Sequence, residues 1–188
     1  RLGKTLAALA EYLSRTDARI AEYSMSADEY GNVTFDNYNG MIKITGNGHR
    51  LPGITLGYGF TGTLWIQDGY LSQQGESSWC LDAHCGKALL TNCWFTGSVT
   101  YGLHATHAAE LRWYRGSSEG LTGYSLNPFI WTQYGGVAYY YGSIPGGGIW
   151  SDSGWVHASG TVTVVSGDGG SGSAASTASV AGALGYYG

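Results

Sequence analysis

Asp82 and His104 stand 22 residues apart, each directly after a leucine, Leu81 and Leu103. In an extended chain the side chain following an inward leucine points outward. On neighbouring strands the carboxylate and imidazole then lie about 5 Å apart. That is close enough to share a proton or to orient a sugar hydroxyl. Asn127, after Leu126, continues the same line. Outward polar residues on a repeating scaffold also serve as solvated surface or as a subunit contact, so the pair alone does not define a site.

Cleavage of a glycosidic bond asks for two carboxylates about 5–9 Å apart across a groove. The candidates are Asp68, Glu76, Asp82, Glu110, Glu119 and Asp152. Glu76 and Asp82 are close in sequence, but no spacing selects them as a pair. Asp82, His104 and Glu76 are therefore only weak catalytic candidates. Cys85 and His107 share a register one coil apart, which places both near a turn and facing the interior. Two ligands fall short of a four-coordinate zinc site, so no metal is expected. There is no nucleophile elbow, Rossmann fingerprint or phosphate-cradling loop, and hence no expected cofactor. The aromatics form the stronger case. Trp131, Tyr134, Tyr140, Trp150 and Trp155 crowd the last third of the chain among Ser, Asn and Gly. Such exposed rings suit sugar faces and equally a subunit interface.

These residues sit on a repeat. Ile54-Thr-Leu56, Trp79-Cys-Leu81, Tyr101-Gly-Leu103 and Tyr124-Ser-Leu126 each alternate a large apolar residue with a skipped position. Their leucines step by 25, 22 and 23 residues. A second set interleaves: Ile42/Ile44, Leu64/Ile66, Ala88/Leu90, Leu111/Trp113 and Val137/Tyr139. Period 2 means half-buried strands. Two strand sets sharing one coil length mean a solenoid, because a single coil cannot bury its apolar face alone. A mostly β parallel β-helix of roughly four or five coils is expected. Asp68 and Asn92, each two residues beyond an inward aliphatic, are expected to hold turns.

Composition agrees. Glycine numbers 32 and proline only 3, so glycine punctuates strands rather than building a collagen or a stiff linker. Charged residues are 12% and aromatics 14%, a surface for hydrogen bonding and stacking more than for electrostatic steering. A net charge of −4 without a basic stripe argues against nucleic acid. No apolar run is long enough to insert in a membrane. Three cysteines make no disulfide framework and fit synthesis in a reducing compartment. The start at Arg1 without Met reads as an excerpt or a processed product.

Four regions are expected. Over residues 1–23, Leu2, Leu6, Leu9, Leu13, Thr16, Ile20 and Tyr23 step by four and three, a heptad seam. It reads as a coiled-coil stalk with three strands, the alternative being a helix that caps the first coil. Residues 24–143 are the β-helix, 144–166 a C-terminal cap that is largely loop with a terminal strand at Thr161–Val165, and 167–188 a Gly/Ser-rich tail.

A helical stalk, Gly-punctuated coils such as Gly97-Ser-Val-Thr-Tyr-Gly-Leu-His-Ala105, and Tyr141-Gly-Ser143 together resemble the tail fibre and tailspike proteins of bacteriophages and prophages. The resemblance covers roughly residues 1–143. It implies a right-handed parallel β-helix, homotrimeric, carried on the virion tail and exposed outside the cell during host attachment after assembly in the host cytoplasm. The implied partners are other copies of the chain, tail or baseplate proteins, and a host surface glycan or protein. Some members of that group cleave polysaccharide and others only bind it. The catalytic carboxylates of the cleaving members have no residue-by-residue counterpart in this chain. Receptor binding is thus the first expectation, with a polysaccharide depolymerase and a purely architectural fibre segment as alternatives.

Overall fold

The computed structural model describes residues 5–72, 79–99, 102–114, 121–124, 130–141, 149–152, 154–159, 162–166, 172–174 and 177–181. It is a parallel β-solenoid with one short helix at its N-terminal end. Each coil contributes a strand to each of two long sheets. The first sheet runs through Ile20–Ser24, Met41–Thr45, Thr63–Gln67, Lys87–Thr91, Glu110–Tyr114, Val137–Tyr141 and Trp155–Ser159, all parallel. The second runs through Asn32–Phe35, Gly53–Leu56, Leu81–Ala83, Leu103–Thr106, Ile130–Gln133, Ile149–Asp152 and Val162–Ser166. Between them lies a shorter third run, where Arg50 bridges Tyr70 and Tyr70–Leu71 pairs with Trp94–Phe95.

The alternation read from the sequence sets the core. Ile42, Leu64, Ala88 and Leu111 form one inward column and Ile44, Ile66, Leu90 and Trp113 the next, each nearly or fully buried. The fifth member departs from the expected register by one residue. Ala138, and not Val137, pairs with Leu111 and is 1% exposed. A one-residue slip exchanges the faces of a strand, so Val137 and Tyr139 share the outward register.

In the second sheet the column is Ile54, Leu81, Leu103 and Ile130. Leu56 pairs with Ala83, so Leu56 and Leu81 are not equivalent. The connector before Leu81 is longer than uniform leucine spacing assumes, and the register follows the paired backbone. Likewise Ile130 takes the rung above Leu103; Leu126 lies outside the described residues.

The heptad seam does not continue as a helix. The helix spans Leu6–Leu13, and Ile20–Ser24 is a strand. Leu6, Leu9 and Leu13 are buried against the first rung of this same chain, which is the capping arrangement. Thr5 accepts a hydrogen bond from the Ala8 N–H, and Glu29 accepts from the Leu6 N–H at 2.8 Å, so side chains satisfy the helix start.

Residues 144–155, expected as loop, contain the strand Ile149–Asp152 and the start of Trp155–Ser159, both in register with the coil before. Within the region read as a tail, Gly172–Ala174 and Thr177–Ala181 pair antiparallel with the last strands of the two sheets.

Candidate functional site

The Asp82–His104 register expected from the sequence is present. Asp82 pairs with His104, which pairs with Trp131, which pairs with Trp150. The inward neighbours Leu81, Leu103 and Ile130 fix this line on the outside of the second sheet. His104 Nδ1 donates to Asp82 Oδ1 at 2.8 Å, and Nε2 meets Oε1 of Gln133 at 3.1 Å. The imidazole stacks on Trp79 with ring centroids 4.6 Å apart and lies 5.4 Å from Trp131. It is 8% exposed. Both ring nitrogens are committed and both faces are covered, so His104 is a bound structural centre and not a free proton carrier.

The second carboxylate oxygen of Asp82 is not used by His104 and lies toward His84, on a side chain that is 19% exposed. Its nearest basic neighbour is His84 Nε2 at 3.6 Å, too far for a strong hydrogen bond. His84 Nδ1 is buried with no hydrogen-bond partner, under the ring of Tyr58, whose centroid lies 4.5 Å away at 18°.

Tyr58 opens a strip of rings along the corner that leaves the second sheet. It contacts His107 edge-on at 5.2 Å, and His107 lies 5.4 Å from Tyr134. Tyr58 is 62% and Tyr134 63% exposed, and His107 is exposed as well. Asn37, Tyr58, Cys85, His107 and Tyr134 occupy one column, two residues beyond the paired positions 35, 56, 83, 105 and 132. Asn37, His107 and Tyr134 have left-handed backbones, with φ of 52°, 54° and 48°. Asparagine is at ease there and an aromatic is not. His107 is steadied by the Thr106 hydroxyl, 2.8 Å from its Nδ1.

The structure thus joins Asp82, His104, Trp131 and Tyr134 in one patch. Glu76 lies outside the described residues. Tyr140 pairs with Trp113 in the other long sheet, and Trp155 pairs with Val137 there, so neither backbone position belongs to this line. Trp150 continues it beyond Trp131. Cys85 and His107 share the expected register, but His107 faces solvent because the turn ends the alternation at Thr106. Among the described residues no group of three metal-ligating side chains occurs.

Sequence reasoning passed over Tyr58, Trp79, His84 and Gln133. Tyr58 lies beyond the end of the strand at Leu56, in a turn closed by the Phe60 N–H to Gly57 carbonyl hydrogen bond, and it is exposed. The 22-residue step that relates Asp82 to His104 was the usable signal for the patch.

Asp68 and Asn92 take the expected turn role. Both have positive φ, and Asn92 Nδ2 donates to Asp68 Oδ1 at 2.6 Å across adjacent coils. Cys80 and Cys93 are buried, and burial pushes both thiols up, Cys93 to about 12, so neither is a candidate nucleophile. No family model, curated protein or solved structure matches this chain.

Proposed function

We propose that this chain is a glycan-contacting, right-handed parallel β-helix of the tail-fibre or tailspike kind, working as a homotrimer that binds a host surface without cleaving it. The observation that carries this reading is the exposed line Tyr58–His107–Tyr134, with the second oxygen of Asp82 close by at His84. Exposed rings with centroids 5.2 and 5.4 Å apart offer apolar surface to sugar C–H groups, and one carboxylate oxygen offers an acceptor to hydroxyls. Binding is favoured over cleavage because His104, the imidazole hydrogen-bonded to Asp82 at short range among the described residues, has both ring nitrogens committed. A depolymerase would also need a second acid across the groove.

The test is adsorption of the purified chain to host cells and to their extracted envelope polysaccharide. Tyr58→Ala and Tyr134→Ala should each lower affinity about tenfold, as loss of one stacked ring implies. No oligosaccharide should be released on prolonged incubation. Undiminished adsorption by the double variant would move the contact elsewhere; release of oligosaccharides that stops with Asp82→Asn would establish the depolymerase instead. Sedimentation equilibrium addresses the trimer directly.

A further inference from the structure

The third run of the coil carries a separate group of side chains. Arg50, Tyr70 and Trp94 occupy consecutive rungs, about 4.8 Å apart. Leu51, Leu71 and Phe95, one residue on in each case, are buried, so the alternation turns the first three outward as a line. The Tyr70 and Trp94 rings lie 5.4 Å apart, tilted by 35°, and Tyr70 is 37% exposed. Beside them is a cleft of about 130 Å³ lined by Asp28, Gly48, Arg50, Tyr70 and Thr96.

The two charges lining this cleft, Arg50 and Asp28, are not in direct ion-pair contact. Among the described residues Arg50 forms no ion pair. Asp28 Oδ1 accepts from the Arg50 backbone N–H at 2.9 Å and lies 3.4 Å from His49 Nδ1. That backbone hydrogen bond, aided by His49 and the nearby guanidinium, holds the Asp28 carboxyl below its usual range. Asp28 is therefore an ionised acceptor at neutral pH.

We propose that this cleft binds a sugar bearing a single carboxylate, such as a hexuronic acid. The guanidinium of Arg50 presents a planar fork that matches a carboxylate, the ionised Asp28 accepts from a ring hydroxyl, and the sugar face lies on Tyr70. A multiply charged phosphate or sulfate fits less well, since Asp28 opposes it and, among the described residues, Arg50 is the one cationic side chain lining the cleft. A neutral sugar leaves Arg50 without a partner. The inference does not depend on the Tyr58–Tyr134 strip, which lies at a different corner of the coil.

The experiment is calorimetric titration of the intact chain at low salt with trigalacturonate and with its methyl ester, which keeps the shape and removes the charge. The acid should bind at least about tenfold tighter than the ester. Arg50→Gln should weaken the acid by a similar factor and abolish the discrimination, while Tyr70→Ala should weaken both. Tyr12→Ala, which removes an exposed ring on the N-terminal helix, should change neither. Equal binding of acid and ester, no binding of the acid, or an unaltered Arg50→Gln would overturn the proposal. Loss of the acid on Tyr134→Ala alone would place it on the strip, against this inference and in favour of the other site. The acid–ester comparison on the unaltered chain stands even if a variant fails to fold.

Discussion

At Tyr134 the backbone is held at φ 48° under a ring that is 63% exposed. A left-handed conformation costs a non-glycine residue about 1–2 kcal/mol, and an exposed ring recovers little of it by burial. Asn37, in the same column and the same conformation, shows the residue the turn would take if stability alone decided. Tyr134→Asn is thus expected to raise stability by about 0.5–1 kcal/mol while weakening glycan adsorption; urea midpoints and adsorption on the same preparation measure both. Beneath it, the Asp82–His104 hydrogen bond lies against two tryptophans. Removing His104 takes one hydrogen bond from the Asp82 carboxylate and one from the Gln133 amide, so His104→Ala should cost about 2–3 kcal/mol. A double-mutant cycle with Asp82→Ala should return a coupling near 1–2 kcal/mol by urea denaturation. A coupling near zero would mean that the contact is incidental. This contact was legible in the sequence because both partners follow a leucine at one coil spacing. Tyr58 and His84 were not, because they belong to turns, where alternation ends and side-chain direction depends on backbone angles that periodicity does not encode.

Elements in this chain are joined at corners where successive coils come very close. Gly40, Gly62, Gly86, Gly136 and Gly154 all stand directly before strands of the first long sheet, and Arg19 and Ala109 are the exceptions in that column. A Cβ on Gly62 would come within 2.1 Å of the Gly40 carbonyl oxygen, an atom that cannot move without disturbing its bond from the Thr63 N–H at 2.9 Å. Gly62→Ala should therefore lower stability by about 2–3 kcal/mol and the melting temperature by roughly 5–10 °C. Thermal denaturation followed by circular dichroism reads this out, and an unchanged transition would show that the corner has room. The strands between these corners were the readable part of the chain: Ile42/Ile44 through Leu111/Trp113 pair as their alternation requires. Two kinds of element were misread for physical reasons. The leucine stripe at Leu6, Leu9 and Leu13 serves a helix of 8 residues that covers one rung, and a stripe that short fits a cap as well as a seam. Ile149–Asp152 is glycine-flanked and short, and its parallel partner is visible only once the coil is built.

For the molecule as a whole, a parallel solenoid is a stack with two ends, and each end exposes unpaired strand edges that invite further chains. The N-terminal end is partly closed by the helix, which packs on Asn32–Phe35. The C-terminal end is closed differently. Gly172–Ala174 runs antiparallel to Val162–Ser166, and Thr177–Ala181 runs antiparallel to Trp155–Ser159. A reversed strand ends the parallel repeat, because the next coil cannot continue in the same sense. The Gly/Ser-rich composition of this segment hides that role: small side chains bury little, but backbone hydrogen bonding to an edge needs no side chain. Removing residues 172–188 should then leave the coils intact and bare both sheet edges. The expected result is native-like β circular dichroism together with concentration-dependent association, seen by light scattering and by thioflavin binding that the full chain lacks. A truncated chain whose association state matched that of the full chain at every concentration would mean that these strands do not guard the edges.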